Sequence, residues 1–303
     1  MELLRLFVDN LLPLLLVAAT GVALAATVRP DPRAVSHVAF SVFAPCLIFQ
    51  LIVDNPMPVG ALLRMFGFAF ATLFALGGIA LGIARAMRWP RPMASALVLT
   101  AMLPNAGNLG LSTNLLAFGE PGLTQASLFF LASSIVTYTV GVFVASLGRA
   151  PLGDALTGIV RVPAIWGVVV AFVMTGTGVA LPAPLATGVR MLAEACIPAF
   201  LVILGMQLHA ARHVRPSPRI ALAAGLRLVG GAAAGFALAA LFGLDGAARQ
   251  AGVLQASMPT AVITVILATE YDVEPAFVTG VVFVSTLLSP FTLTPLMSLL
   301  LGR

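Results

Sequence analysis

Lysine is absent from this 303-residue chain: all 16 basic residues are arginine. A Walker-type phosphate loop, whose lysine holds the nucleotide phosphates, is therefore excluded, as is Schiff-base chemistry. Charge of either sign is scarce, at 9% of residues against about 25% in soluble domains. So few charges cannot cover a water-facing surface. With 60% hydrophobic residues and a mean hydropathy of +1.07, the chain reads as a polytopic membrane protein. The net charge of +5 does not point to nucleic acid, because the arginines punctuate apolar runs as membrane-flanking charges do. Cysteine is nearly missing too. Cys46 and Cys196 fall inside apolar runs and read as small buried side chains, neither a disulfide nor a metal pair. His37, His209 and His213 border loops without metal-ligand spacing, and there is no Gly-x-Ser-x-Gly, His-Glu-x-x-His or pair of in-membrane acids. Neither a cofactor, a metal nor an enzymatic reaction is expected.

What the chain does have is apolar runs. A helix needs about 20 apolar residues to cross the hydrocarbon core. Reading between Arg, Asp and Pro gives ten candidates: 6–28, 34–53, 60–84, 93–118, 122–147, 160–180, 188–208, 219–242, 247–271 and 275–301. The first resembles a signal peptide at Ala23-Leu24-Ala25, but Glu2 and Asp9 beside Arg5 argue for a retained span. Loops after spans 1, 3, 5 and 7 hold ten arginines (29, 33, 85, 88, 91, 149, 161, 212, 215 and 219), and the opposite side holds five (5, 64, 190, 249 and 303). The positive-inside rule puts the first set in the cytoplasm and both termini on the outer, periplasmic side. The lysine-free, alanine-rich composition points to a GC-rich bacterium and its inner membrane.

The two halves match. Val98-Leu99-Thr100-Ala101-Met102-Leu103-Pro104-Asn105-Ala106 aligns with Val253-Leu254-Gln255-Ala256-Ser257-Met258-Pro259-Thr260-Ala261, and Glu120-Pro121 with Glu274-Pro275. Ser133-Ser134 and Thr137 correspond to Ser285-Thr286 and Ser289, Pro45 to Pro198, and Leu63-Arg64 to Leu226-Arg227. The shared order predicts two five-helix repeats, 1–148 and 160–303, joined by a short cytoplasmic connector over 149–159. Because five is odd, the second repeat lies inverted, a common architecture of secondary transporters.

Spans 4 and 9 are interrupted near their middles, at Pro104-Asn105-Ala106-Gly107-Asn108-Leu109-Gly110 and Met258-Pro259-Thr260-Ala261. Proline removes a backbone donor and clashes with the preceding turn, while glycine tolerates the dihedrals that follow. Orphaned backbone groups cannot face lipid, so such breaks must be buried in protein or line a wet cavity. Each break offers the positive N-terminus of its second half-helix, about half a charge, and the carbonyls ending the first half, which suit a cation. Two breaks meeting at the midplane make an anion site with no basic side chain. The candidate binding residues are Pro104, Asn105, Gly107 and Asn108 from one repeat, and Gln255, Ser257, Pro259, Thr260 and Ala261 from the other.

The run Leu103-Pro104-Asn105 to Gly110, with Met258-Pro259-Thr260-Ala261 and Ala268-Thr269-Glu270-Tyr271, resembles the auxin efflux carrier family, which includes plant PIN carriers and bacterial malonate or malate carriers. The resemblance extends over essentially the whole chain, including Ala44-Pro45-Cys46-Leu47-Ile48-Phe49. It implies an all-α, ten-helix fold related to bile acid:sodium symporters, with crossing helices 4 and 9. Helices 1, 2, 6 and 7 would form a scaffold, often dimeric, and helices 3–5 and 8–10 a transport domain. In plant members an asparagine after the helix 4 proline contacts the substrate carboxylate, and Asn105 holds that place. Two departures argue against auxin itself: Thr269 stands where plant members carry lysine, and Arg149 to Arg161 replaces their long insert. The function implied is alternating-access transport of a small organic anion, with H+ or Na+ as coupling ion. The alternative is sodium-coupled symport of a larger amphipathic acid such as a bile acid.

Four further polar residues are candidates for coupling or gating. Glu194 lies four residues before Pro198, and a carboxylate within a span is a functional candidate by default. Reaching the outer mouth or pairing with Arg190 is the competing reading. Arg227 could counter a substrate carboxylate or snorkel to the headgroups. Gln50 and Gln207 follow the span 2 and span 7 prolines and could face the substrate path or bond between helices. The hydroxyls around Ser133 and Ser285 read as bonded back to their own helices. Gly78/Gly82 and Gly231/Gly235 have the spacing for close helix packing.

Overall fold

The computed structural model describes residues 2–55, 58–146, 162–211 and 217–302. Among these, every regular element is a helix, and the one strand-like feature is an antiparallel bridge between Pro104 and Thr260. Helix α1 covers Leu3–Thr27, α2 Pro32–Asp54 and α3 Val59–Ala86. The next segment is split into α4a (Arg91–Met102) and α4b (106–118), after which α5 runs over 120–145. Then follow α6 (Pro163–Thr177), α7 (Ala183–Ala210) and α8 (Pro218–Leu241). Another split pair, α9a (Gly246–Ala256) and α9b (Ile263–Glu270), precedes α10 (Pro275–Leu301).

Among the described residues seven helices are long and apolar enough to cross a membrane unaided, where the sequence predicts ten spans. The difference has physical causes. The unbroken run Ala106–Ala145 counts once, yet its 40 residues would stretch about 60 Å, twice the hydrocarbon core. It is divided by Gly119 at φ 68°, ψ −162°, a conformation that favours glycine, with Pro121 two residues on. Helices α4a, α9a and α9b have 12, 11 and 8 residues because the chain leaves the helix at Leu103 and Ser257. The remaining short helix, α6, has 15 residues. The connector placed at 149–159 lies outside the described residues, as do Arg149, Arg161, Arg212, His213 and Arg215.

Local chemistry sets the helix starts. Asp31 caps α2 by accepting from the Arg33 amide at 2.9 Å, and Ser217 caps α8 by accepting from the Ile220 amide at 3.3 Å. Proline stands in the first turn of α2, α6, α8 and α10, where its missing N–H leaves no bond unmade.

Contacts are densest within α1, α2, α6 and α7 (the first group) and within α3, α4a, α4b, α5, α8, α9a, α9b and α10 (the second), and one continuous buried core runs through both. Small residues permit backbone-to-backbone contact in the first group: a Cβ on Gly205 would overlap the Ala18 carbonyl, and one on Gly21 the Val202 carbonyl. In the second group Gly231 and Gly235 press against Ala256 of α9a. Gly78 and Gly82 do not fulfil the same expectation. Both face open space, since a four-residue spacing defines a stripe without saying which stripe meets a neighbour.

Substituting Gly205→Ala should lower stability by about 1–3 kcal/mol, as overpacking does. Gly188→Ala, with open space around its Cβ, should be neutral or stabilising by up to about 1 kcal/mol. Thermal unfolding of the two purified variants in detergent checks the contrast.

Candidate functional site

The interruptions in α4 and α9 meet. Leu103-Pro104-Asn105 and Pro259-Thr260-Ala261 lie antiparallel and exchange two backbone hydrogen bonds: the Asn105 amide donates to the Pro259 carbonyl at 2.7 Å, and the Ala261 amide to the Leu103 carbonyl at 2.9 Å. Neither proline has an N–H, so the donors come from the residues beyond them. The Thr260 hydroxyl donates to the Thr100 carbonyl at 2.9 Å, and the Thr260 amide to Ser285 Oγ at 3.2 Å. The breaks thus satisfy one another within the protein, as backbone at membrane depth must.

Beyond the bridge, α4b opens with a π-helical turn over Ala106–Leu111, in which the Gly110 amide reaches back to the Asn105 carbonyl at 3.0 Å. Similar π turns occur at Ala39–Phe43 in α2 and Thr137–Gly141 in α5. All three contribute to one cavity of about 430 Å³. Wide turns of this kind displace side chains from the regular helical rows and recur at functional sites.

The cavity is bounded at its deep end by Pro104, Asn105, Gly107, Asn108 and Ala261, and along its wall by Ser133, Thr137 and Gln207. Its other end reaches Arg33 and His37, which are exposed on the first turns of α2. Buried Asn105 presents its Nδ2 with no hydrogen-bond partner. Asn108 Nδ2 donates to Gln207 Oε1 at 3.4 Å, tying α4b to α7 across the two groups. The wall hydroxyls spend their hydrogens on their own helix: Ser133 and Ser134 on the Phe130 carbonyl, Thr137 on the Ser133 carbonyl. Among the first-turn amides of α4b and α9b, Ala106 donates to the Pro104 carbonyl at 2.8 Å, and Thr264 and Val265 donate to the Ala261 and Val262 carbonyls at 3.1 and 2.9 Å. The deep end holds two unpartnered side-chain groups, Asn105 Nδ2 and Asn108 Oδ1, with no carboxylate among the residues lining the cavity.

The other sequence candidates stand elsewhere. Gln255 is buried behind α4b, where Nε2 donates to the Ala106 carbonyl at 3.1 Å and the Ala126 carbonyl at 3.0 Å. A Cβ on Gly110 would overlap Gln255 Oε1, so glycine there is what lets the amide in. Ser257 Oγ bonds back to the Val253 carbonyl at 2.7 Å. Pro259 and Thr260 build the bridge without lining the cavity. Glu194 is exposed on α7, away from the crossover, and no ion pair joins it to Arg190 among the described residues. Gln50 donates to Asp54 Oδ2 at 2.6 Å within α2, whereas Gln207 lines the cavity. Arg227 does not snorkel: it is 0% exposed, and its guanidinium is bound inside the second group.

Sequence reasoning missed Arg33, His37, Phe40 and Ser41, which line the cavity from α2. A signal was present: Arg33, Ser36, His37 and Ser41 recur at helical spacing in an otherwise apolar span.

Replacing Gln255→Leu removes the donor from two buried carbonyls. At about 1–3 kcal/mol for each unsatisfied group, the variant should unfold at clearly lower temperature, which thermal unfolding in detergent measures.

A protein family described as "Membrane transport protein" matches residues 149–297. A protein of Methanothermobacter thermautotrophicus described as an uncharacterized transporter is 25% identical over 280 residues, 89% of each chain. Another so described, from Methanocaldococcus jannaschii, is 25% identical over 205 residues, 64% of each chain.

Proposed function

Since the chain belongs to the auxin efflux carrier family of membrane transport proteins, we propose that it is a secondary carrier of small organic anions, mono- or dicarboxylates foremost. The substrate rests at the crossover of α4 and α9 while the protein alternates access. The observation that carries this reading is the uncommitted Asn105 Nδ2 at the buried end of a cavity that Arg33 and His37 flank at its mouth. Donors without acceptors bind anions, and two half-helix N-termini add about half a positive charge each. A volume near 430 Å³ falls within the range of small-molecule pockets, about 300–1,000 Å³.

In this reading the segments form ten crossings in two inverted repeats, with each split helix counted once and the run Ala106–Ala145 counted on both sides of Gly119. The group α1, α2, α6 and α7 is the scaffold, supplies the contact for a homodimer and stays still. The group holding the crossover moves against it, and the Asn108–Gln207 bond is broken and remade on each cycle. The arginine-rich loops face the cytoplasm of a bacterial inner membrane, both termini face outward, and the cavity is open to the Arg33 side. Asn105 orients the carboxylate, with Gly107 and Ala261 bringing backbone close to it, and Arg33 and His37 draw the anion in.

Thermal unfolding of the purified protein with acetate, malonate and succinate should reveal stabilisation by at least one of them, and Asn105→Ala should abolish it while leaving the ligand-free transition within a few degrees. In proteoliposomes the same anion should show counterflow exchange, which a passive pore lacks. Unaltered stabilisation of Asn105→Ala would refute the assignment.

A further inference from the structure

The carbonyls that end α4a and α9a are the crossover's negative side, and a guanidinium already occupies it. Arg227 Nη1 donates to the Ala101 carbonyl at 2.6 Å, and Nη2 donates to the Ala256 carbonyl. These carbonyls end the first halves of two different broken helices, 155 residues apart in sequence (256 minus 101). Around Arg227 the backbone of α8 makes a π turn, Leu226–Gly230. The following residue is Gly231, whose added Cβ would overlap both Nη2 and the Ala256 carbonyl. The side chain is fully buried, and among the described residues no carboxylate lies within ion-pair distance of it.

An unpaired buried cation is strongly disfavoured unless fixed dipoles replace its water. Two helix C-termini supply that replacement: at about half a negative charge each, they sum to about one, matching the guanidinium. Only arginine can do this with one side chain, because its planar fork carries two outward N–H groups at the separation the two carbonyls need.

We propose that Arg227 is a resident cation of the crossover, taking the place that a bound alkali ion would otherwise fill. It joins the two first-half helices and neutralises their carbonyl ends. The amide ends on the cavity side then remain as the uncompensated charge that attracts an anion. The deep end consequently binds its anion without first loading a metal cation there. The clause about the anion rests on the proposed function; the clause about the tether does not.

The test removes the side chain and returns its head group. Arg227→Ala should unfold about 10 °C below the parent in detergent, the scale on which breaking a buried charged contact acts. Millimolar guanidinium chloride should recover most of that loss, and equal concentrations of urea or sodium chloride should recover little. Arg227→Lys, which keeps the charge and loses the fork, should fall between parent and alanine variant and gives a reading if Arg227→Ala fails to fold. For the unmodified protein, stabilisation by malonate or succinate should be equal in sodium, potassium and choline chloride. An alanine variant as stable as the parent, a lysine variant indistinguishable from it, a folded alanine variant deaf to guanidinium, or anion binding that requires sodium would each overturn the proposal. Should no carboxylate stabilise even the unmodified protein, the proposed function fails while the guanidinium arm still decides the role of Arg227.

Discussion

A peptide bond severed from its helix in the middle of a membrane has no water to turn to, and most of this structure follows from that constraint. The chain interrupts two helices near Pro104 and Pro259 and must find partners for the donors and acceptors set loose. It does so by pairing the breaks with each other. Asn105 and Ala261 donate across the bridge, Thr260 reaches Thr100, and Arg227 covers Ala101 and Ala256. All of these but the Arg227–Ala256 bond join the first half of the sequence to the second, so the two halves cannot separate at this point without leaving several backbone groups unsatisfied.

Satisfying the carbonyl ends leaves an imbalance. The carbonyl side of the crossover is filled by Thr260 and Arg227, whereas on the cavity side Asn105 Nδ2 and Asn108 Oδ1 are both unpartnered. Serine and threonine along the cavity wall direct their hydrogens into their own helices and so leave that imbalance untouched. Under the proposed function the site would draw an anion by oriented dipoles at fixed positions, which lose no side-chain freedom when a ligand arrives. Gln255 and Gly110 serve the same end from behind, holding α4b in place by an amide that enters where a larger residue would exclude it.

In the proposed transport cycle the second group, which holds the crossover, moves against the first. Within the first group, glycines let α1 and α7 touch backbone to backbone, a rigid arrangement that lipid cannot enter. Between the groups the contacts are lighter, and Asn108 to Gln207 is a single weak hydrogen bond at 3.4 Å.

Membrane residence was written in the sequence, because hydropathy and scarcity of charge depend on composition alone. So were the two interruptions: proline cannot donate, and an Asn-Ala-Gly-Asn run after it tolerates an unwound backbone whatever surrounds it. Spans were less legible where the hydrophobic run is continuous through a turn, as at Gly119, or short, as in α6. Which polar residues share the cavity was decided only by tertiary structure. Gln255 and Asn105 are both amides near the two interruptions, yet one is a buried strut and the other lines the cavity. Arg33 and His37 looked like loop charges until α2 packed against the crossover. Arg227 had two readings from sequence, because whether a long cation snorkels outward or turns inward depends on whether acceptors wait inside. Two helix ends wait there, and they belong to segments that only folding brings together.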